Sequence, residues 1–161
     1  MALGRAGISE RGCSMVDSSN TEMLGRVKGN RERLETAADA LERAVTRPSG
    51  DEPVWRNAVG AAAHEVHAAL AAHVVEVESP GGLFSEIMDR SPRLAHAIER
   101  LRDEHVTLGA EASELEILAN DGTVVEVRSL ALHLISGISM HRYRGAELIW
   151  ESYNFDIGEG D

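Results

Sequence analysis

Residues 91–115 read SPRLAHAIERLRDEHVTLGAEASEL. Leu94, Ile98, Leu101, His105, Leu108, Ala112 and Leu115 recur every three or four residues, the spacing of one face of an α-helix. Charged and polar residues fill the positions between them. Ser91-Pro92 supplies a cap and a proline in the first turn, where the missing N–H costs little. Asn120-Asp121-Gly122 is a stop. The stretch therefore predicts an amphipathic helix that carries one histidine on its apolar stripe.

The same period extends to both sides. Leu24, Val27, Leu34, Ala38, Leu41 and Val45 predict a first helix from about Asn20 to Arg47, ended by Arg47-Pro48-Ser49-Gly50. Val59, Ala62, Val66, Leu70, His73 and Val77 predict a second from about Glu52, with Asp51 as N-cap and Pro53 in its first turn. Ser79-Pro80-Gly81-Gly82 ends that one, and GLFSEIMDR in the linker has enough apolar content for a short helical turn. Leu134, Ile138, His141, Gly145, Leu148 and Ile149 mark a last helix from about Thr123 to Ser152. No segment reads as a convincing strand. Four helices of about 25 residues with short connections predict an all-α fold, an antiparallel up-down-up-down four-helix bundle. The bundle spans 21–157. The Gly- and Ser-rich residues 1–20 read as a disordered tail, with Cys13 an incidental thiol and Met15 and Met23 as further start sites. Residues 158–161 read as an acidic tail.

Composition narrows the function. The chain has 161 residues, with 16 Lys plus Arg against 27 Asp plus Glu, a formal net charge of −11. That balance argues against nucleic acid, which is held by clustered Lys and Arg. One Cys excludes a disulfide framework and a Cys-rich zinc site. No apolar run approaches the roughly 20 residues of a membrane span, and the N-terminus lacks a signal-peptide pattern. The expectation is a cytoplasmic protein, with a homodimer compatible. No phosphate loop, Ser/His/Asp triad or zincin motif is present, so an enzyme is the less favoured reading.

The histidines carry the chemistry. Of seven, three fall on the apolar stripes: His73, His105 and His141. His64 and His96 fall about 180° away, and His67 and His133 on stripe flanks. At 1.5 Å per residue the three inward histidines reach heights in the bundle that agree to about two turns. Three neutral imidazoles at one level suit Zn, Fe, Cu or Ni.

At LAAHVVEVE (70–78), SPRLAHAIERLRDEHVTL (91–108) and SMHRYRGAELIWESY (139–153), the chain resembles the hemerythrin-like, or HHE cation-binding, family. The resemblance implies a metal-binding bundle, with iron the family expectation. It also implies sensing or binding of a small-molecule ligand such as dioxygen or NO. His73, His105 and His141 match the leading histidines of the family's second, third and fourth helices. The other family ligand positions fall at Arg31, Val77, Gly109 and at Gly145 or Ala146. A conventional di-iron centre is therefore not implied. The site that remains is mononuclear, with the three histidines and a carboxylate from Glu76 or Glu78 as metal ligands; Zn or Ni would suit it chemically. The architecture is also similar to DinB-like bundles, which use a three-His site. Their last-helix His-x-x-x-His is unmatched, since Gly145 stands four residues after His141. The alternative is a helical interaction module that has lost its metal.

Three further features have two readings each. Gly109 and Gly145 either leave room for a ligand or let helices approach. Arg142 and Arg144 form either a solvated band, with Arg144 paired to Glu147, or an anion site. Trp150, Tyr153 and Phe155 either cap the bundle or offer a docking patch.

Overall fold

The structure, a computed structural model, describes residues 13–154, and the side chains of 13–24, 26, 27 and 154 lie outside that description. The side chains of Cys13, Met15, Met23, Leu24, Val27 and Phe155 thus lie outside the described residues. The elements are helix α1 (Cys13–Thr46), α2 (Glu52–Glu78), a short α3 (Leu83–Arg90), a 3-10 turn over Pro92–Leu94, α4 (Ala95–Asp121) and α5 (Val124–Asn154). There is no strand among the described residues.

Helix ends follow from capping chemistry. The Asp51 side chain accepts from the Val54 N–H at 3.3 Å, with Pro53 in the first turn of α2. Gly81 adopts φ +77°, a left-handed conformation that a side chain would strain. Thr123 and Glu126 form a reciprocal capping box. The Thr123 N–H donates to Glu126 Oε2 at 2.8 Å, and the Glu126 N–H donates to Thr123 Oγ1 at 3.2 Å. This box holds the β-branched Val124, Val125 and Val127 in a helix. At the far ends, Arg56 donates to the Ala119 and Gly122 carbonyls at 3.1 and 2.6 Å, and Arg128 to those of Val45 and Arg47 at 3.0 and 2.9 Å. These guanidiniums satisfy carbonyls that the last turns of α4 and α1 leave unpaired.

Two expectations are corrected. Helix α1 begins at Cys13, so residues 13–20 are helical where the composition predicts a tail. Extending a formed helix costs far less than starting one, so these Ser-bearing first turns continue it. At the other end, Trp150 and Tyr153 are 64% and 43% exposed and do not cap the core. Tyr153 instead lies beneath the Arg90 guanidinium, 5.5 Å from ring centroid to Cζ.

The predicted stripes are buried. One large apolar cluster joins Leu34, Leu41, Val45, Val59, Val66, Leu70, Leu108, Leu115, Leu134 and Ile138, drawn from α1, α2, α4 and α5. A smaller one joins Val77, Leu83, Phe84, Ile87, Leu94, Ile98, Leu101 and Leu148. Each fully buried Leu, Ile or Val contributes roughly 1.5–3 kcal/mol. The inward histidines sit between these clusters. His73 follows Leu70 and precedes Val77, His105 stands between Leu101 and Leu108, and His141 between Ile138 and Leu148. A polar layer thus interrupts an otherwise continuous apolar interior.

Candidate metal centre

His73, His105 and His141 are brought together by α2, α4 and α5 and are 8%, 4% and 3% exposed. The Nε2 atoms of His105 and His141 are 3.1 Å apart, and those of His141 and His73 are 3.4 Å apart. One ring nitrogen from each of the three lies within 4.8 Å of the others. The rings meet at 58° to 85°, so their edges converge rather than their faces.

The far edges of two rings are fixed. His105 Nδ1 lies 2.5 Å from Glu78 Oε1, and His141 Nδ1 lies 2.9 Å from Glu104 Oε2. A carboxylate oxygen accepts here, so each Nδ1 is the donor, and in the neutral ring each Nε2 then presents a lone pair. Two lone pairs facing each other at 3.1 Å repel, and a cation between them converts the repulsion into ligation. Three nitrogens on a tetrahedral ion, each at about 2.0–2.1 Å, lie about 3.3–3.4 Å apart by simple trigonometry. The two observed separations, 3.1 and 3.4 Å, bracket that spacing, so the residues present fit a metal ion.

Each bracing carboxylate is itself braced. Glu78 Oε2 lies 3.6 Å from Arg102 Nε, and Glu104 Oε1 lies 2.5 Å from Arg144 Nη1. Two Arg–Glu–His chains result, one tying α2 to α4 and the other tying α4 to α5. Such partners orient a ligand ring and raise its basicity. Phe84 of α3 stacks on the His105 ring, with centroids 5.9 Å apart and planes 12° from parallel. His73 has no such brace, and its Nδ1 is buried without a hydrogen-bond partner.

Burial favours the neutral ring that a metal requires at His73 and at His141. Desolvation, then the neighbouring His105, His141 and Arg31, pushes the His73 pKa down to about 3. Desolvation and His105 also lower that of His141, against the opposing pull of Glu104. Beside the rings is a cavity of about 30 Å³ whose walls include His73, His141, Gly145, Leu148 and Phe84. One water-sized atom needs about 10–15 Å³, so a small molecule of a few atoms fits. A Cβ built at Gly145 or Gly109 would meet nothing within 4 Å. Gly145, on the cavity wall, therefore leaves room in it, Gly109 is not on that wall, and at Gly137 a Cβ would come within 2.8 Å of Leu108.

Not every expected residue joins the convergence. Glu78 bonds Nδ1, on the opposite edge of the His105 ring from the nitrogens that meet. Glu76 is half-buried and lies outside the group of three. Arg144 pairs with Glu104 on the neighbouring helix rather than with Glu147, because that carboxylate already stands at the α4–α5 boundary. His64 and His96 are exposed as phase predicts, and His133, expected on a flank, is also exposed and faces Glu111 at 3.3 Å. Sequence reasoning missed Glu104, Arg102 and Phe84. Glu104 directly precedes His105, a position one step off the stripe from which a side chain reaches the next helix.

Glu104→Gln should weaken metal binding about 10- to 100-fold while leaving the fold intact, because the amide cannot supply the charge that makes His141 Nδ1–H a strong donor. Competition against a coloured chelator reads the affinity, and circular dichroism checks the fold. An unchanged affinity would show that Glu104 does not tune the site.

Comparison with models of known protein families, with curated proteins and with solved structures finds no match to this chain.

Proposed function

We propose that the chain is a hemerythrin-like metal-binding protein with a mononuclear centre at His73, His105 and His141, which binds or senses a small ligand such as dioxygen or NO. The observation that carries this reading is the meeting of three Nε2 atoms in a water-poor layer, two of them held lone-pair-inward by carboxylates. Iron is the ion expected from the resemblance, and three imidazoles accept zinc or nickel equally well. When bound, the ion supplies Lewis acidity and a coordination position for the ligand. The residues do the rest. Glu78 and Glu104 hold the imidazole protons at Nδ1, Phe84 and the apolar wall exclude water, and Gly145 leaves space.

The helices fit an antiparallel up-down-up-down arrangement. Partner numbers fall along α4 as they rise along α2, from Arg56 with Ala119 to Glu78 with Arg102. They fall along α5 as they rise along α1, from Arg31 with Arg142 to Val45 with Arg128, and along α5 as they rise along α4, from Glu104 with His141 to Glu111 with His133. No helix among the described residues is long and apolar enough to cross a membrane, in keeping with the cytoplasmic placement we propose.

Elemental analysis of protein purified without a His tag tests the reading. One equivalent of a transition metal is expected, lost in His105→Ala and unaffected in the exposed His96→Ala. Metal-free protein that takes up no ion on reconstitution would overturn it and leave the helical interaction module.

A further inference from the structure

The cavity beside the three histidines has a polar end that the metal reading does not use. Arg31 and Arg142 both line it, among Leu34, Val77, Leu101 and other apolar neighbours. Their charges are incompletely answered. Glu35 reaches Arg142 Nη2 at 2.5 Å, while the polar contact of Arg31 is a long one, from Nη2 to the Arg142 carbonyl at 3.4 Å. Burial and the facing Arg142 push the Arg31 pKa below its ordinary value, with Glu35 pulling the other way. Two donor-bearing atoms on cavity-lining residues are buried without any partner: Arg142 Nε and His73 Nδ1. Once Nε2 of His73 ligates a metal, its proton must sit on Nδ1, so that atom too becomes a donor.

Two guanidiniums and an imidazole N–H thus border one small, mostly apolar space, with a single carboxylate among them. An unsatisfied buried donor is costly, and two like charges partly withdrawn from water add to that cost. One occupant removes both costs, a group that only accepts and carries negative charge. We propose that this cavity binds a small monovalent anion of about two or three heavy atoms, held by Arg31, Arg142 and His73 Nδ1–H, beside the metal ion rather than in its place. A sulfate or phosphate ion is too large for about 30 Å³. The third donor ties this inference to the metal reading above, and the two Arg residues do not depend on it. Because metal ligation at Nε2 strengthens His73 Nδ1–H as a donor, anion and metal each tighten the other's binding, and by the same factor.

Formate is the probe. Isothermal titration into the cobalt-loaded, untagged full chain should show one saturable formate site, with sulfate failing to compete. Arg31→Met should weaken formate roughly 10- to 100-fold. Its visible cobalt spectrum should persist and its cobalt affinity should be equal or higher, since a repelling charge is gone. Arg31→Lys should recover part of the formate affinity. The proposal is overturned by the absence of formate binding to the wild-type chain, by equal binding of sulfate, or by unchanged formate affinity in Arg31→Met. If cobalt does not bind at all, the metal reading falls separately. The same titration on the metal-free chain then decides the anion site through its dependence on Arg31. If Arg31→Met does not fold, the wild-type contrast between formate and sulfate decides.

Discussion

Metal-loaded protein should melt about 8–16 °C above the chelated protein when free metal stands near a thousand times its Kd. A ligand that binds only the folded state stabilises by about 4 kcal/mol at that ratio, and a chain of this size gains about 2–4 °C per kcal/mol. The size of the effect follows from where the donors come from. Residues 73, 105 and 141 stand on three helices, so the unfolded chain has no preformed site for the ion. Without a cation, the folded chain retains the close approach of His105 and His141 Nε2 described above. Differential scanning calorimetry with and without chelator reads the shift, and His105→Ala should abolish it. Equal melting temperatures in the two wild-type samples would show that these imidazoles hold no ion.

Acid should unfold the metal-free protein early and steeply. His73 has a pKa near 6.5 when unfolded and about 3 when folded. Above pH 6.5 it is neutral in both states and adds no pH dependence. Between about 6.5 and 3 the unfolded chain takes up a proton that the folded chain refuses, so stability falls with pH by about 1.4 kcal/mol per unit from this residue alone. His141, lowered by the same burial, acts in the same direction. Together they remove several kcal/mol from a total that for most domains is about 5–15 kcal/mol. Urea unfolding at pH 7.0 and 5.0 measures the loss. In His73→Leu the slope should flatten by about one proton, since the group that refuses protonation is gone. An equal slope in that variant would place the acid sensitivity elsewhere.

The three histidines were legible because a helix rotates 100° per residue and the apolar stripes fix its inward face. His73, His105 and His141 could be assigned to the core with no knowledge of which helix faces which. The residues that finish the site could not. Glu104 acts across an interface, bonding His141 from α4, and Arg144 returns from α5 to hold Glu104. Such contacts depend on the rotation and axial register of neighbouring helices, which one-dimensional spacing does not contain. The same limit explains Glu78. It flanks Val77, where the resemblance places a carboxylate ligand, but five residues along a helix turn it away from His73 and toward His105 on the opposite helix. The early start of α1 shows a different limit. Composition describes what a segment would do alone, and residues 13–20 are joined to a helix already formed.

One wall of the site has a consequence for timescale. Leu83 and Phe84, from the eight-residue α3, close one side of the cavity, and Phe84 covers His105. This helix is bounded by Gly81-Gly82 on one side and by Ser91-Pro92 on the other. It can detach without breaking a hydrogen bond inside α2, α4 or α5, and local openings of this kind cost less than global unfolding. Each such opening would widen the way to the cavity while the four long helices keep the three histidines in place. Ligand exchange is thereby open to tuning at a segment that contributes no donor to the ion.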